Sequence, residues 1–285
     1  MVAVRRTIHE DPPSYELRWP RQVAVSPTAI RHYTTCPHRI RLQYIEKRKS
    51  PYVYNLFLDQ GNIAHSLLAE IAHRRRTNTT QRSEDEMWDR TMRRLPMHEF
   101  PSRAAHESAA NEVIRWVRYG VTSLDRDARI LIVEKPEKRP WPHPGGPVLT
   151  ITTRPDAILL RTDTDGERFV EIIDYKTGSK EYVDEIPPVT MRYVFKKLFR
   201  EISPDTLSLR MQFTYVWLAH RETHEIPLTP EYCASEWQRV TGIIDQLLAE
   251  RDWQPQPSRL CHYCPFNGNA CSAFDAWPGM GDQGW

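Results

Sequence analysis

The spacing of apolar residues divides the chain into helical flanks and a central stretch of strands. Apolar residues recur at intervals of three and four over 27–44, 60–75 and 102–119, which predicts three helices. Ser26, followed directly by a proline, is a favourable helix start, and Gly120 is expected to end the third helix. Residues 26–125 are therefore predicted to form a helical N-terminal part.

The pattern changes after residue 128, where short apolar runs bounded by turn residues predict strands. Five prolines between residues 136 and 147 predict a loop inside this region. Three or four strands should form a meander. The predicted strands are 130–134, 148–153, 157–161 and 169–176.

Helical periodicity returns over 190–200, 206–220 and 235–251, and a proline-rich tail begins at Pro255. Ser235 and Gln238 have the spacing of a capping box for the last helix. The order of elements predicts a single mixed α/β domain over 1–285. Its parts are the N-terminal helices, a core over 128–220, and a C-terminal helix with the tail over 221–285.

Composition is that of an ordinary soluble protein. The 285 residues are 40% apolar and 27% charged, and 39 basic against 37 acidic residues give a net charge of +2. No segment approaches the roughly 20 apolar residues that a membrane crossing needs, and residues 1–20 lack the apolar region of a secretory signal. A cytoplasmic protein without disulfides is expected, so clustered cysteines favour metal binding.

Two acids and a lysine lie at the ends of neighbouring predicted strands. Between Pro155-Asp156 and Asp174-Tyr175-Lys176 lie 17 residues. Two carboxylates at one edge of a sheet provide the oxygen ligands that Mg²⁺ prefers. Lys176 projects to the same face as Asp174, where it could orient a water or stabilise negative charge on a phosphate.

His65 is a third candidate ligand. It lies on the predicted helix over 60–75, four residues after Gly61, and an imidazole nitrogen beside two carboxylates would suit Mn²⁺ as well as Mg²⁺. A histidine on an apolar helix face is also a common core residue, so both interpretations stay open at this point.

The cysteines are distributed unevenly, with one near the start and three close together at the end. Cys36 stands alone, whereas Cys261, Cys264 and Cys271 form a Cys-x2-Cys-x6-Cys pattern, and Cys233 lies outside it. The alternatives are a [4Fe-4S] cluster, a zinc site of four cysteines or of cysteine and histidine, and unligated thiols. A zinc site often uses two Cys-x2-Cys pairs, and Cys36 has no neighbouring partner, so the pattern favours the cluster.

These motifs together resemble the RecB-type branch of the PD-(D/E)xK nucleases, in particular iron-sulfur members such as the AddB nuclease domain and the CRISPR adaptation nucleases. The resemblance covers 26–271. It rests on Gly61-x3-His65, Glu134 at a strand end, Pro155-Asp156, Asp174-Tyr175-Lys176-Thr177-Gly178, Ser26-Pro27-Thr28-x7-Cys36-Pro37, and Cys261-x2-Cys264-Pro265-x5-Cys271.

The resemblance implies a restriction-endonuclease-like fold, with a mixed sheet flanked by helices and a cysteine-rich tail closed by a [4Fe-4S] cluster on the four patterned cysteines. It also implies a Mg²⁺- or Mn²⁺-dependent DNA exonuclease with His65, Asp156 and Asp174 as metal ligands and Lys176 as the catalytic lysine. DNA contacts are expected from Gln212 and Tyr215, three residues apart on the predicted helix over 206–220. Further candidates for DNA contact are Glu134 and the basic residues Arg192 and Lys196, which share a face of the helix over 190–200.

The expected substrate is single-stranded DNA or DNA with free ends, in recombination, repair or phage DNA processing. Two alternatives are a non-hydrolytic DNA-end-binding or accessory protein, and the nuclease subunit of a complex with a helicase or recombination partner. The chain contains no P-loop of its own.

Overall fold

The protein is described by a computed structural model that covers residues 22–49, 55–124, 127–141, 148–178, 183–203 and 209–273. Within these segments the chain forms eight strands. In chain order they are β1 (Gln22–Val25), β2 (Arg129–Val133), β3 (Glu137–Pro140), β4 (Val148–Thr153), β5 (Ala157–Thr162), β6 (Arg168–Lys176), β7 (Met211–Trp217) and β8 (Glu222–Pro227).

The same segments contain eight α-helices, together with a π-helical turn and two short 3-10 turns. The helices are α1 (Pro27–Thr35), α2 (Pro37–Ile40), α3 (Leu56–Arg76), α4 (Glu84–Arg94), α5 (Arg103–Thr122), α6 (Ile186–Val194), α7 (Lys196–Ile202) and α8 (Pro230–Ala249). Polar side chains satisfy the first backbone N–H groups of several helices; Ser26, Asn55, Ser83, Ser102 and Thr229 accept these bonds.

The central sheet is mixed and has the strand order β2-β5-β6-β7-β8. Strands β6 and β7 are parallel, whereas the other neighbouring strands are antiparallel. A parallel pair requires a crossover connection, which α6 and α7 provide. Ala157 of β5 pairs with Ile173 of β6, so Asp156 and Asp174 are brought to the same end of the sheet.

Helices cover both faces of this sheet. Adjacent residues of β6 enter different cores: Ile172 packs with Ile30 and Ile244 of α1 and α8, and Ile173 packs with Leu68 and Val113 of α3 and α5. Side chains alternate between the faces of a strand, so a strand buried on both faces is apolar at consecutive positions. A second sheet, in which β4 pairs with β1 and β3, extends the first of these cores.

The N-terminal helices differ from the prediction at two positions. The expected helix over 27–44 is interrupted at Cys36, which has extended backbone (φ −161°, ψ 101°), because the following Pro37 disfavours helical geometry in the residue before it. Gly120 does not end α5, which continues to Thr122. A Cβ on Gly120 would lie 2.7 Å from Cδ1 of Leu68, so close helix packing explains the glycine.

The predicted loop over 136–147 is wrong in part, because Glu137–Pro140 forms β3 against β4. Residues 142–147 lie outside the described residues. The pattern also missed β1, β8 and α4. The predicted meander is wrong in part, because β4 lies in the second sheet and β6 pairs in parallel with β7. The helix expected over 190–200 begins at Ile186 and breaks at Phe195, and α8 begins after Thr229, so the capping box at Ser235 was wrong.

The predicted helix over 206–220 is wrong, because Met211–Trp217 is strand β7. Phe213 and Tyr215 alternate with Gln212 and Thr214, and this period of two outweighs a coincidental helical spacing. Gln212 and Tyr215 therefore point to opposite faces of a strand and do not share a helix face. Tyr215 is buried, and its hydroxyl donates to the carbonyl of Asp184.

Within the described residues, no helix is both long and apolar enough to cross a bilayer. The prediction that residues 1–20 are not a secretory signal lies outside the described residues.

Candidate active site

Three side chains from distant parts of the chain converge at one end of the central sheet. His65 on α3, Glu134 after β2 and Asp156 before β5 each offer a ligand atom, and these atoms lie within 4.8 Å of one another. One nitrogen and two carboxylate oxygens at this spacing are a suitable donor set for a divalent metal ion. The sequence pattern paired His65 with Asp156; the geometry adds Glu134.

Hydrogen bonds fix the Asp156 carboxylate in place. Its Oδ1 lies 3.0 Å from Nδ1 of His65, and its Oδ2 accepts a 2.6 Å bond from the backbone N–H of Tyr175. Asp156 is 9% exposed. Although burial acts to raise the pKa of Asp156, His65 and the Tyr175 N–H outweigh it, so the pKa lies below its usual range.

Helix α3 approaches the sheet closely enough for His65 to reach Asp156. The approach depends on Gly61, one helical turn before His65, because a Cβ at this position would lie 2.7 Å from Oγ1 of Thr177. Thr177 directly follows the lysine at the end of β6. The Gly-x3-His spacing is thus explained by packing between the helix and the end of the strand.

Glu134 occupies an unusual backbone conformation at the end of β2. Its φ of 46° lies in the left-handed region, which is uncommon for a residue with a side chain and often marks a functional position. Its N–H donates to the carbonyl of Asp156 at 3.2 Å, and its carboxylate lies 3.0 Å from Nε of Arg154. The sequence analysis predicted that Glu134 contacts DNA, whereas in the structure it lies among the candidate metal ligands.

Asp174 and Lys176 lie on one face of β6, beside the three converging groups. The Nζ of Lys176 is 2.5 Å from Oδ2 of Asp174 and 5.4 Å from the centre of the Tyr215 ring. The ring and the carboxylate hold the ammonium at the end of the strand. The predicted adjacency of Asp174 and Lys176 is therefore present in the structure.

The site concentrates negative charge. Burial, followed by repulsion from Asp156, raises the pKa of Glu134, and burial together with Asp156 raises that of Asp174 in spite of Lys176. Burial opposes protonation of His65, but the Asp156 carboxylate outweighs it and the pKa is raised. Crowded carboxylates with raised pKa values are typical of functional sites, and a divalent cation would relieve their repulsion.

An open cavity of about 560 Å³ gives access to this site. His65, Glu134 and Asp156 line it together with Arg154, Asn62, Ser66 and Ala69. The lining is mainly polar and contains a cation beside the acids. A phosphate group can therefore approach the candidate ligands from solvent.

The four patterned cysteines meet in a second cavity at the junction of α1 and α2 with the C-terminal tail. Cys36, Cys261, Cys264 and Cys271 all line it, and all are free thiols. Backbone N–H groups of Gln256 and Ser258 point at Sγ of Cys36 and Cys261, at 3.5 and 3.4 Å. Cys36 and the segment 261–271, which are far apart in the chain, thus lie together around one cavity.

The remaining predicted DNA contacts are dispersed. Gln212 donates to the hydroxyl of Thr214 on β7, and Arg192 donates to the carbonyl of Leu228 at 3.0 Å. Lys196 is exposed and starts α7 beyond the break at Phe195. The expected continuous basic face over 190–200 is therefore not formed.

The fold is a mixed sheet with helices on both faces. An Asp-(x17)-Asp-x-Lys motif lies at the ends of the inner strands β5 and β6, and this combination defines a nuclease-type α/β domain. Residues 24–271 match the family model of the PD-(D/E)XK nuclease superfamily. The chain belongs to this superfamily.

Two solved structures align with most of the chain but share little sequence with it. The "putative exonuclease" of Eubacterium rectale is 13% identical, with a TM-score of 0.48, and the alignment covers 90% of this chain and 93% of that one. The protein SSO0001 is 14% identical, with a TM-score of 0.41 and coverages of 93% and 89%. No curated protein matches the sequence.

Proposed function

We propose that the protein is a divalent-metal-dependent deoxyribonuclease that hydrolyses phosphodiester bonds. The observation that supports this most directly is the convergence of His65, Glu134 and Asp156 within 4.8 Å, beside Asp174 and Lys176. Membership of the PD-(D/E)XK nuclease superfamily supports the same conclusion.

His65, Asp156 and Asp174 are proposed metal ligands, and Glu134 is added to them. A bound Mg²⁺ or Mn²⁺ would supply Lewis-acid stabilisation of the phosphate and activation of water. Lys176 Nζ donates a hydrogen bond that orients the attacking water and stabilises charge developing on the phosphate oxygens. Arg154, 3.0 Å from Glu134 and largely exposed, is placed to bind the incoming phosphate.

Within this activity we favour exonuclease action on single-stranded DNA or on DNA ends, in recombination, repair or phage DNA processing. The retained Asp156, Asp174 and Lys176 argue against the alternative of a DNA-binding protein without hydrolytic activity. A nuclease subunit that works with a helicase or recombination partner would use the same chemistry.

The test is cleavage of labelled linear and circular DNA, single-stranded and duplex, by purified protein with Mg²⁺ or Mn²⁺. We expect metal-dependent degradation that requires a free end. Asp174→Ala should abolish it, while Asp163→Ala, on the turn before β6, should retain it. Equal cleavage by Asp174→Ala and wild type would disprove the mechanism, and cleavage of circles would show endonuclease action.

We further propose that Cys36, Cys261, Cys264 and Cys271 hold a [4Fe-4S] cluster that joins the chain ends. Burial raises the pKa of Cys271, and the charges of the other three thiols raise it further, so the four sulfurs are close enough to repel when ionised. The N–H groups of Gln256 and Ser258 are directed at two of them, as occurs around cluster sulfurs.

The sequence pattern is the reason for favouring a cluster over a single zinc ion. Structural zinc often uses two Cys-x2-Cys pairs, whereas Cys36 has no neighbouring cysteine in the chain.

Iron and acid-labile sulfide analysis of anaerobically purified protein tests this proposal. Cys264→Ala should lose the brown colour, thermal stability and cleavage together. The matched control is Cys233→Ala, because Cys233 lies on α8 outside the cavity and its removal should leave iron content unchanged. Stoichiometric zinc in the wild type, or a stable and fully active colourless Cys264→Ala protein, would contradict the proposal.

A further inference from the structure

A second, basic cavity lies along α3 and the edge strand β2, beyond the active-site residues of the helix; it is called the groove below. Arg74, Arg75 and Arg76 of α3 and Arg129 of β2 line it, together with uncharged residues. Its volume is about 1060 Å³. No acidic side chain lines the groove among the described residues, so its charge favours an anionic ligand.

The groove and the active-site cavity are lined by residues of the same two elements, α3 and β2. Along α3, His65 and Ala69 line the active-site cavity and Arg76 lines the groove. Residues 65, 69 and 76 are separated by four and seven positions, which places them on one helix face. The distance from His65 to Arg76 along the helix is about 16 Å at 1.5 Å per residue.

Strand β2 provides the opposite wall. Leu131 lines the groove and Glu134, three residues later, lines the active-site cavity; this separation is about 10 Å along a strand. Arg76 Nη1 donates to the carbonyl of Leu131 at 3.4 Å and so connects the two walls. The two cavities are therefore lined by neighbouring stretches of the same helix and the same strand.

Two of the arginines are available to a ligand. Arg76 and Arg129 are exposed, and within the described residues neither forms an ion pair; Arg76 donates one 3.4 Å bond to the carbonyl of Leu131. Arg74 pairs with Glu70, and Arg75 is half-buried and donates to the carbonyl of Leu124. Glu70 is itself contacted by three arginines, so this end of α3 keeps an excess of positive charge.

We propose that the substrate strand runs from the metal site into this groove, with Arg76 and Arg129 contacting its phosphates. This inference rests on the proposed nuclease function and assigns the path of the DNA. The distance of about 16 Å from His65 to Arg76 is several times the 3.4 Å rise per phosphate of a B-form strand, so more than one phosphate can lie between them. The backbone of several nucleotides beside the scissile bond would therefore be bound by charge, without reading of the bases.

The test compares the double variant Arg76→Ala/Arg129→Ala with wild type and with a control of equal charge, Arg103→Ala/Arg115→Ala. Arg103 and Arg115 are exposed on α5 and pair with Glu107 and Glu112 on their own helix. Binding of an oligonucleotide is measured as a function of salt with Ca²⁺ in place of Mg²⁺. Cleavage is measured with the oligonucleotide and with bis(p-nitrophenyl) phosphate, which is too short to reach the groove.

The slope of log affinity against log salt is negative. We expect its magnitude to become smaller by about two in the groove variant and to stay unchanged in the control. Its kcat/KM should fall at least about tenfold for the oligonucleotide, with unchanged cleavage of bis(p-nitrophenyl) phosphate. A wild-type slope and kcat/KM in the groove variant would overturn the inference, as would an equal loss with the small substrate or an equal loss in the control.

Failure of the proposed function gives a different result. If wild type cleaves neither substrate, the nuclease proposal fails. The salt dependence of binding then still decides whether the groove holds nucleic acid.

Discussion

Nδ1 of His65 lies 3.0 Å from Oδ1 of Asp156, although 91 residues separate them in the chain. Each side chain comes from a different layer, helix α3 and the start of β5. In the structure the two groups pair with each other. As proposed metal ligands they would supply one nitrogen and one oxygen atom.

Removal of the His65 imidazole should weaken the binding of the metal ion required for cleavage. We expect His65→Ala to raise the Mn²⁺ concentration required for half-maximal cleavage at least about tenfold, because a nitrogen ligand is lost. The measurement is a metal titration of activity. His73→Ala, exposed on the same helix, is the control and should behave as wild type; an unchanged titration in His65→Ala would remove His65 from the ligand set.

Lys176 should affect the rate of the chemical step more than DNA binding. Lys176→Met is expected to lower kcat about 10²–10³-fold, because a donor directed at developing charge is removed. Affinity for an oligonucleotide in Ca²⁺ should change little. Lys138→Met, exposed on β3, serves as the control, and a loss of affinity that accounts for the whole effect would show that Lys176 acts in binding.

Close packing at Gly61 can be tested by a double substitution. Gly61→Ala should destabilise the protein by about 1–3 kcal/mol, because overpacking displaces the helix from the strand end. Thr177→Ala removes Oγ1 and leaves a Cβ 3.7 Å away, an ordinary contact. Denaturant unfolding should therefore show recovery in the double variant, and simple additivity of the two losses would refute this explanation.

A buried carboxylate on β6 depends on one arginine. Glu171 is buried, accepts a bond from Thr214, and pairs with Arg161 of β5. Arg161→Met should cost about 3–5 kcal/mol of unfolding free energy, because it leaves the charge without its partner. The variant Arg161→Met/Glu171→Gln should recover much of this loss in urea unfolding, whereas equal instability of both variants would show that packing dominates.

His32 should make the fold sensitive to acid. Burial, assisted by Arg39 and Arg31, lowers the pKa of His32 to about 4, while the unfolded chain retains a value near 6.5. The unfolded state therefore binds the proton first, so stability decreases as the pH falls from about 6.5 to about 4. His32→Gln should flatten this part of the unfolding curve relative to wild type; parallel curves would contradict the assignment.

The sequence alone determined the chemistry that lies within single segments. The Asp-x-Lys end of β6 and the helix of His65 follow from short apolar runs and helical spacing, which depend on neighbouring residues. The match over residues 24–271 confirms the nuclease superfamily that these motifs indicated. The sequence also paired Cys36 with the C-terminal triplet, and the four share one cavity.

Only the tertiary structure decided relationships that depend on which segments meet. Glu134 lies with the candidate metal ligands because β2 pairs with β5, and a lone acid at a strand end gives no signal of its partners. Residues 211–217 form a strand because β6 and β8 supply hydrogen-bond partners on both sides, although their apolar spacing also suits a helix. The groove that ends at Arg76 likewise exists because α3 packs against β2, a contact between segments that are far apart in the chain.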